Sequence, residues 1–221
     1  RVAAPTGHGS VSAADPAARF LWKTGWELGQ IERISELRLP VPADVLRAHI
    51  EAAAARAGDD YRVLTWEGES SPAHLDDLAR LNGDMSVDAP AGELEVDEEH
   101  WDAERVAQLE RRALASGATF LNAAVLHLPS GRLVAQSMLQ LDLDDTTRPA
   151  QQDNTLVTST HRGRRLGMLV KAANLEQLAE RYPECTGVFT WNAEENAHML
   201  RVNEALGFTA LAPEGGWQKR L

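Results

Sequence analysis

"HRGRRLGMLVKAANLEQL", His161 to Leu178, decides how the rest of this chain is read. The run before it, "NTLVTST" (Asn154 to Thr160), has the β-branched and apolar content of a strand, and the run after it is an amphipathic helix. A strand that passes through a tight turn of small residues into a helix leaves the first helical N–H groups unpaired at the positive end of the helix dipole. Such a junction binds anions. Gly163 and Gly167 let the backbone approach a ligand closely, and Arg162, Arg164 and Arg165 add charge-assisted hydrogen bonds suited to phosphate. On this pattern alone the stretch is weak evidence, because an arginine- and glycine-rich helix start is more often a solvated cap. The stretch is not a P-loop, because no Gly-Lys-Ser/Thr ends it. Nor is it a dinucleotide fingerprint, because the third glycine and the downstream ribose carboxylate are missing.

Composition narrows the partners. The chain has 221 residues, 33 Asp and Glu against 22 Lys and Arg, and a formal net charge of −11, which argues against a general nucleic-acid binder. A local cationic cluster in an acidic protein suits a small anionic ligand better than a polyanion. No apolar run reaches the roughly 20 residues of a membrane span, and the start lacks a secretory-signal pattern. The expectation is a cytoplasmic protein without a membrane partner. The single cysteine, Cys185, excludes an internal disulfide and reads as a half-buried thiol at a strand start; the scattered histidines form no zinc spacing, so no metal is expected. Arg1 stands where a methionine would open a chain, so a segment upstream is expected.

The order of elements is that of an α/β protein. A helix capped by Asp15 with Pro16 in its first turn ends at Gly25, and "WELGQIERISELRL" follows as a strand. "ADVLRAHIEAAAARAG" is a helix stopped by Gly58. From Tyr61 come a strand, a helix opened by "SSPAHLDDLARLN", an irregular acidic loop from Gly83 to Asp97, and a helix "EEHWDAERVAQLERRALASG". "TFLNAAVLHL" and "RLVAQSMLQLDL" form a hairpin through "PSGR". "NTLVTST", the helix quoted first, the strand "CTGVFTWN", the helix "NAHMLRVNEALG" and two last strands around "GFTALA" and "GWQKRL" complete a mixed sheet with helices on both faces.

The strand, "HRGRRLG", helix and "TWNAEENAHMLRVNEALGF", in that order, resemble the GNAT superfamily of acetyl-CoA-dependent N-acetyltransferases, whose signature is Gln/Arg-x-x-Gly-x-Gly/Ala at a helix start. Arg162 and Gly167 fill its outer positions, and Arg165 stands in place of the inner glycine. Asn196 matches the asparagine that opens the family's fourth helix, and "ALGF" (Ala205 to Phe208) matches the helix-to-strand ending. The resemblance covers Tyr61 to Leu221. It implies a mainly antiparallel mixed β-sheet flanked by helices. "ARFLWKTGWELGQIERI" also aligns with "LRVNEALGFTALAPEGG" by placing Gly25-Trp26 on Gly207-Phe208. This resembles the tail of a preceding GNAT-like domain, as in tandem members of the family. The domains expected are thus a remnant at 1–40, a linker helix at 41–60 and a GNAT domain at 61–221. Trp26 to Leu39 would form sheet structure apart from the main sheet.

What the resemblance implies can be laid on the residues. The pantetheine of acetyl-CoA would pair with backbone at Thr155, Leu156 and Val157. Its pyrophosphate would sit on Arg162, Gly163, Arg164, Arg165, Leu166, Gly167 and Met168, with Asn196 also on the cofactor side. The acid that family members often take from a tyrosine is here Asn203, and a carboxylate that some place on the preceding strand is here Trp191. Asp153, read as bounding its strand, is a candidate base. The acceptor would meet Asp84, Asp88 and Glu93 of the acidic loop, with Trp191 and Asn192 beside the reactive end of the cleft. Two functions follow: transfer of an acetyl group to a small, cationic amine, or a non-catalytic acyl-CoA-binding module.

Overall fold

A computed structural model describes residues 1–219. In chain order the elements are β1 (Val2–Ala3), β2 (Ser10–Val11), α1 (Pro16–Lys23), β3 (Glu27–Arg38), α2 (Ala43–Ala57), β4 (Tyr61–Glu67), α3 (Leu75–Asp88) and α4 (Ala103–Ala115). There follow β5 (Ala118–His127), β6 (Arg132–Asp142), β7 (Ala150–Val157), a 3₁₀ turn (Ser159–His161), α5 (Leu166–Arg181), β8 (Gly187–Ala193), α6 (Ala197–Ala205) and β9 (Thr209–Gln218). The chain divides into a larger compact unit, residues 38–86 and 99–189, and a smaller one, residues 1–37, 87–98 and 190 onward.

In the larger unit the strand order is β4-β5-β6-β7-β8. The first three ladders are antiparallel, and β7 meets β8 in parallel. Residues that alternate along β5 separate two cores. On one face Ala123 and Val125 pack with Leu166, Leu169, Val170 and Ala173 of α5 and with Ala53 and Ala57 of α2. On the other, Ala124 packs with Leu78, Ala79 and Leu81 of α3 and Val106 of α4. Small residues on α2 and α5 let those helices approach closely. The β6–β7 register shifts between Ser137 opposite Thr155 and Leu139 opposite Gln152, so the extra residue of this bulge lies on β7, and the buried amide of Asn174 on α5 donates to the carbonyls of Ser137 and Leu121 at 3.1 and 2.9 Å.

The smaller unit holds β3 and β9, ordered after β8 as β8-β3-β9, with a separate β1-β2 hairpin. Ile31 and Leu28 of β3 are buried with Ala4, and Val2, Val11 and Trp217 pack against them. β3 runs antiparallel to β9 from Glu27 opposite Gln218 to Glu36 opposite Thr209. The expectation that Trp26 to Leu39 lies in a sheet apart is therefore corrected: this strand pairs along its length with the last strand of the chain.

Several boundaries also differ from the sequence reading: α3 begins at Leu75 rather than at the serines before it, α4 at Ala103 rather than Glu98, and β8 at Gly187 rather than Cys185. α3 runs through Gly83 to Asp88, because Arg80 bridges to Asp84 one turn on at 3.5 Å and Met85 packs in the core, outweighing the roughly 1 kcal/mol cost of a helical glycine. β7 starts at Ala150, so Asp153 lies within the strand. The stretch "TALAPEGGWQ" is one strand, since Gly215 and Gly216 serve close packing: a Cβ would come within 2.6 Å of Trp217 Nε1 at the first and 2.8 Å of Leu94 Cδ1 at the second. The end of "GWQKRL", residues 220 and 221, lies outside the described residues. Among those described, no helix is long and apolar enough to cross a membrane, and no group of His, Cys, Asp and Glu is placed to hold a metal.

Candidate active site

β7 delivers the chain to the turn that the sequence singles out. Its ladder with β8 comprises Ala150 opposite Val188 and Gln151 opposite Phe189, while its ladder with β6 continues to Val157. Among the described residues, the segment Gln152–Val157 thus has a strand neighbour on one side only. Thr155 and Leu156 are buried here, Val157 is half-buried, and the Val157 carbonyl accepts a hydrogen bond from Arg162 Nε at 3.1 Å.

The turn has an unusual backbone. Gly163 has φ +79°, and Arg165, in the place where the GNAT signature has a glycine, has φ +61° and ψ +20°. An L-residue in this left-handed region costs roughly 1–2 kcal/mol. A Cβ built on Gly163 would meet nothing within 4 Å, and one on Gly167 would meet only Val157 Cγ2, at 3.7 Å. The space over Gly163 is therefore open, while Gly167 is buried against Val157. Side chains cap three other helices: Asp15 on α1, Asp102 on α4 and Asn196 on α6. α5 has no side-chain cap, although Leu166 and Gly167 are buried. Thr158, 7% exposed at the head of the 3₁₀ turn, has a hydroxyl with no hydrogen-bond partner. Arg164 and Arg165 form no ion pair among the described residues. Open space over Gly163, uncapped amides, an orphaned hydroxyl and free cations are the features an acyl-CoA diphosphate requires, so the residues fit that group.

The fold that carries this junction, an α5-covered sheet of order β4-β5-β6-β7-β8, has counterparts among solved structures. The chain is similar to a tandem GNAT protein from clavulanic acid biosynthesis, solved without acetyl-CoA, with TM-score 0.69, 22% identity, and 98% of this chain covered against 61% of that one. The chain has the GNAT fold. A GCN5-related N-acetyltransferase from Sphaerobacter thermophilus (TM-score 0.56, 15% identity, 93% and 56% covered) and one from Kribbella flavida (0.51, 14%, 92% and 64%) share it. The chain spans about three-fifths of the length of these proteins. No family model and no curated protein matches it by sequence.

The remaining candidate residues of the GNAT reading fall as follows. In the larger unit, Asp153 is exposed on β7, and desolvation by the atoms around its carboxyl raises its pKa above the usual range. Asp84 sits on α3, held by Arg80. Cys185 is fully buried rather than half-buried, its Sγ near the carbonyls of Arg148 and Gly187. In the smaller unit, Asp88 ends α3 rather than lying in a loop, and Glu93 is exposed, its backbone N–H donating to Gly29 O at 3.1 Å. Trp191 Nε1 donates to Glu214 at 2.9 Å. Asn192 accepts from Asn203 Nδ2 at 2.7 Å. Asn203 is 1% exposed and its Oδ1 has no partner. The Asn196 side chain is engaged in capping α6, accepting from Met199 N at 3.2 Å.

Two groups escaped the sequence reading. In the smaller unit Glu32 lies directly opposite Glu214 across the β3–β9 ladder. Burial, then Glu214 and Glu195, raise the pKa of Glu32. Glu195 takes a hydrogen bond from Gln30 at 2.8 Å on one oxygen, while the other is buried without a partner. Only knowledge that the first long strand pairs with the last would have revealed this set. In the larger unit Tyr61, His127 and His161 form a ring cluster beside the α5 turn. Their positions at element ends, far apart in sequence, left no pattern to read.

Proposed function

We propose that this chain is a GNAT-type N-acetyltransferase that moves an acetyl group from acetyl-CoA to a small cationic amine. The observation that carries the proposal is the α5 start: uncapped amides under open space, reached through Gly163 and flanked by Arg164 and Arg165. Acetyl-CoA supplies an acyl thioester whose thiol is a good leaving group. Backbone N–H groups from Gly163 to Met168, with the arginines, would hold the diphosphate, and the one-sided segment of β7 would hold the pantetheine amides as an added strand. Asp153, with a raised pKa, would take the proton of the amine directly or through water. Asn203 cannot donate a proton as an acid, so it would act by polarising and positioning through its amide. The cationic character of the acceptor is supported by the carboxylates of Glu32, Glu195 and Glu214 in the smaller unit, where Trp191 donates to Glu214.

The second reading, a non-catalytic acyl-CoA-binding module, is favoured by one observation: the position of the usual tyrosine acid holds an amide already bonded to Asn192. Thermal shift with acetyl-CoA tests what the readings share, because a ligand of the folded state raises its melting temperature. Release of CoA thiol across a panel of mono- and diamines separates them. Thermal stabilisation without CoA release for any amine supports the module, and no stabilisation at all removes both.

A further inference from the structure

Beside the α5 turn, at the end of the sheet where β4 begins and β5 ends, three rings meet. Centroids lie 5.1 Å apart for Tyr61 and His127, 5.7 Å for Tyr61 and His161, and 4.7 Å for His127 and His161. The Tyr61 hydroxyl and His161 Nδ1 are 2.8 Å apart, as are His127 Nδ1 and Ser130 Oγ. With both Nδ1 atoms engaged, the orientation of each imidazole is set, and neither Nε2 has a hydrogen-bond partner among the described residues. The Arg164 guanidinium stands over the Tyr61 ring at 5.6 Å.

The charges around His161 are one-sided. Desolvation, then His127 on β5, Arg164 on the turn and Arg80 on α3, hold its pKa below the ordinary histidine range. Arg80 has its own carboxylates in Asp77 and Asp84, at 3.7 and 3.5 Å, whereas Arg164 has none among the described residues. In a chain of net charge −11, three half-buried rings beside an exposed arginine, a group lacking a carboxylate of its own, leave a gap that an anion fills. The ligand best matched to imidazoles is one whose second ionisation also falls near neutrality, a phosphomonoester.

We propose that His127, His161 and Arg164 form a phosphomonoester subsite beside the turn, and that its occupation places a proton on His161. The proposal rests on the acyl-CoA reading, because coenzyme A carries a 3′-phosphomonoester that 3′-dephospho-CoA lacks. The bound dianion raises the proton affinity of His161, so binding takes up a proton. Affinity for CoA then falls as pH rises from about 6 to about 8, by up to about tenfold per pH unit for one proton. Dephospho-CoA lacks that dependence.

Calorimetric titration of the protein with CoA and with dephospho-CoA across that range, in buffers of different ionisation enthalpy, reads both the preference and the proton. The expected result is a preference for CoA of about tenfold or more near pH 6, shrinking toward pH 8, with proton uptake seen for CoA alone. His161→Asn keeps a hydrogen-bonding atom for the Tyr61 hydroxyl but cannot titrate, and it should abolish the proton uptake and reduce the preference to a small, pH-independent remainder. Arg164→Gln should reduce the preference while leaving the proton uptake. Equal affinities in the parent protein, or a preference that survives both variants undiminished, would overturn the subsite and leave the acyl-CoA reading standing. Failure of both ligands to bind would end both.

Discussion

The starts of α5 and α6 make an instructive pair. Both helices follow a strand of the sheet, yet α6 is closed by its own residues: the Asn196 side chain accepts from Met199 N and satisfies the first turn. α5 begins with a strained arginine, a glycine under open space and no side-chain acceptor. A helix end left unsatisfied is costly unless something else meets its N–H groups. The difference separates a start closed by its own side chain from one left open, as the proposed diphosphate site would need.

The largest effect expected concerns how firmly α5 is held. Lys171 is fully buried on α5, and desolvation lowers its pKa to about 7. Its folded-state pKa lies below the unfolded one, so between about pH 7 and the usual lysine range the unfolded chain binds the extra proton. Stability should therefore rise with pH across that window, by several kcal/mol in total. Urea denaturation from pH 7 upward should show the slope in the parent and not in Lys171→Met. A slope shared by both would mean another group is responsible.

Next is the ligand side of the comparison. Gly167→Val should leave the fold intact, since a Cβ there meets only Val157 Cγ2, but weaken acetyl-CoA binding by about a hundredfold through the loss of close backbone hydrogen bonds to phosphate. Asn203→Ala, on α6, should lower turnover by roughly tenfold to a hundredfold, the equivalent of one or two hydrogen bonds, with acetyl-CoA affinity hardly changed. Complete loss of turnover in a folded, ligand-binding Asn203→Ala protein would contradict a role limited to an amide hydrogen bond.

Smaller effects sharpen the contrast. Arg165→Gly should relieve left-handed strain and add about 1 kcal/mol of stability while costing a severalfold loss of acetyl-CoA affinity, a loss that added salt reproduces in the parent. Asn196→Ala should do the reverse: a loss of about 1 kcal/mol in stability, with binding unchanged. If Asn196→Ala weakened acetyl-CoA binding as much as Arg165→Gly, the two helix starts would not differ in the way argued.

Much of this was legible in the sequence because local chemistry agreed with the fold. Asp15 with Pro16 marked α1, "PSGR" marked the β5–β6 hairpin, and the glycine-arginine turn marked α5. The misreadings came where tertiary contacts overrode local signals. Gly83 reads as a breaker, but Met85 packing and the Arg80–Asp84 bridge carry α3 past it. Pro213, Gly215 and Gly216 read as a turn, but neighbouring Leu28, Leu94 and Trp217 need the missing side chains there, so the strand runs on. In the site, the turn could be read because its residues are consecutive. The Glu32–Glu214 pair and the Tyr61–His127–His161 cluster could not, because pairing of distant strand ends creates them.

The antiparallel ladder of β3 and β9 ties Leu28 to Trp217, near opposite ends of the chain. During synthesis, β3 leaves the ribosome long before its partner exists, while the strands and helices from residue 61 to 189 can close among themselves. The smaller unit is consequently the last to assemble, and until then β3 presents an edge without its β9 partner, with the Trp217 side of the Leu28–Ile31 cluster missing. A nascent chain stalled before β9 would be the form of this protein most in need of a chaperone.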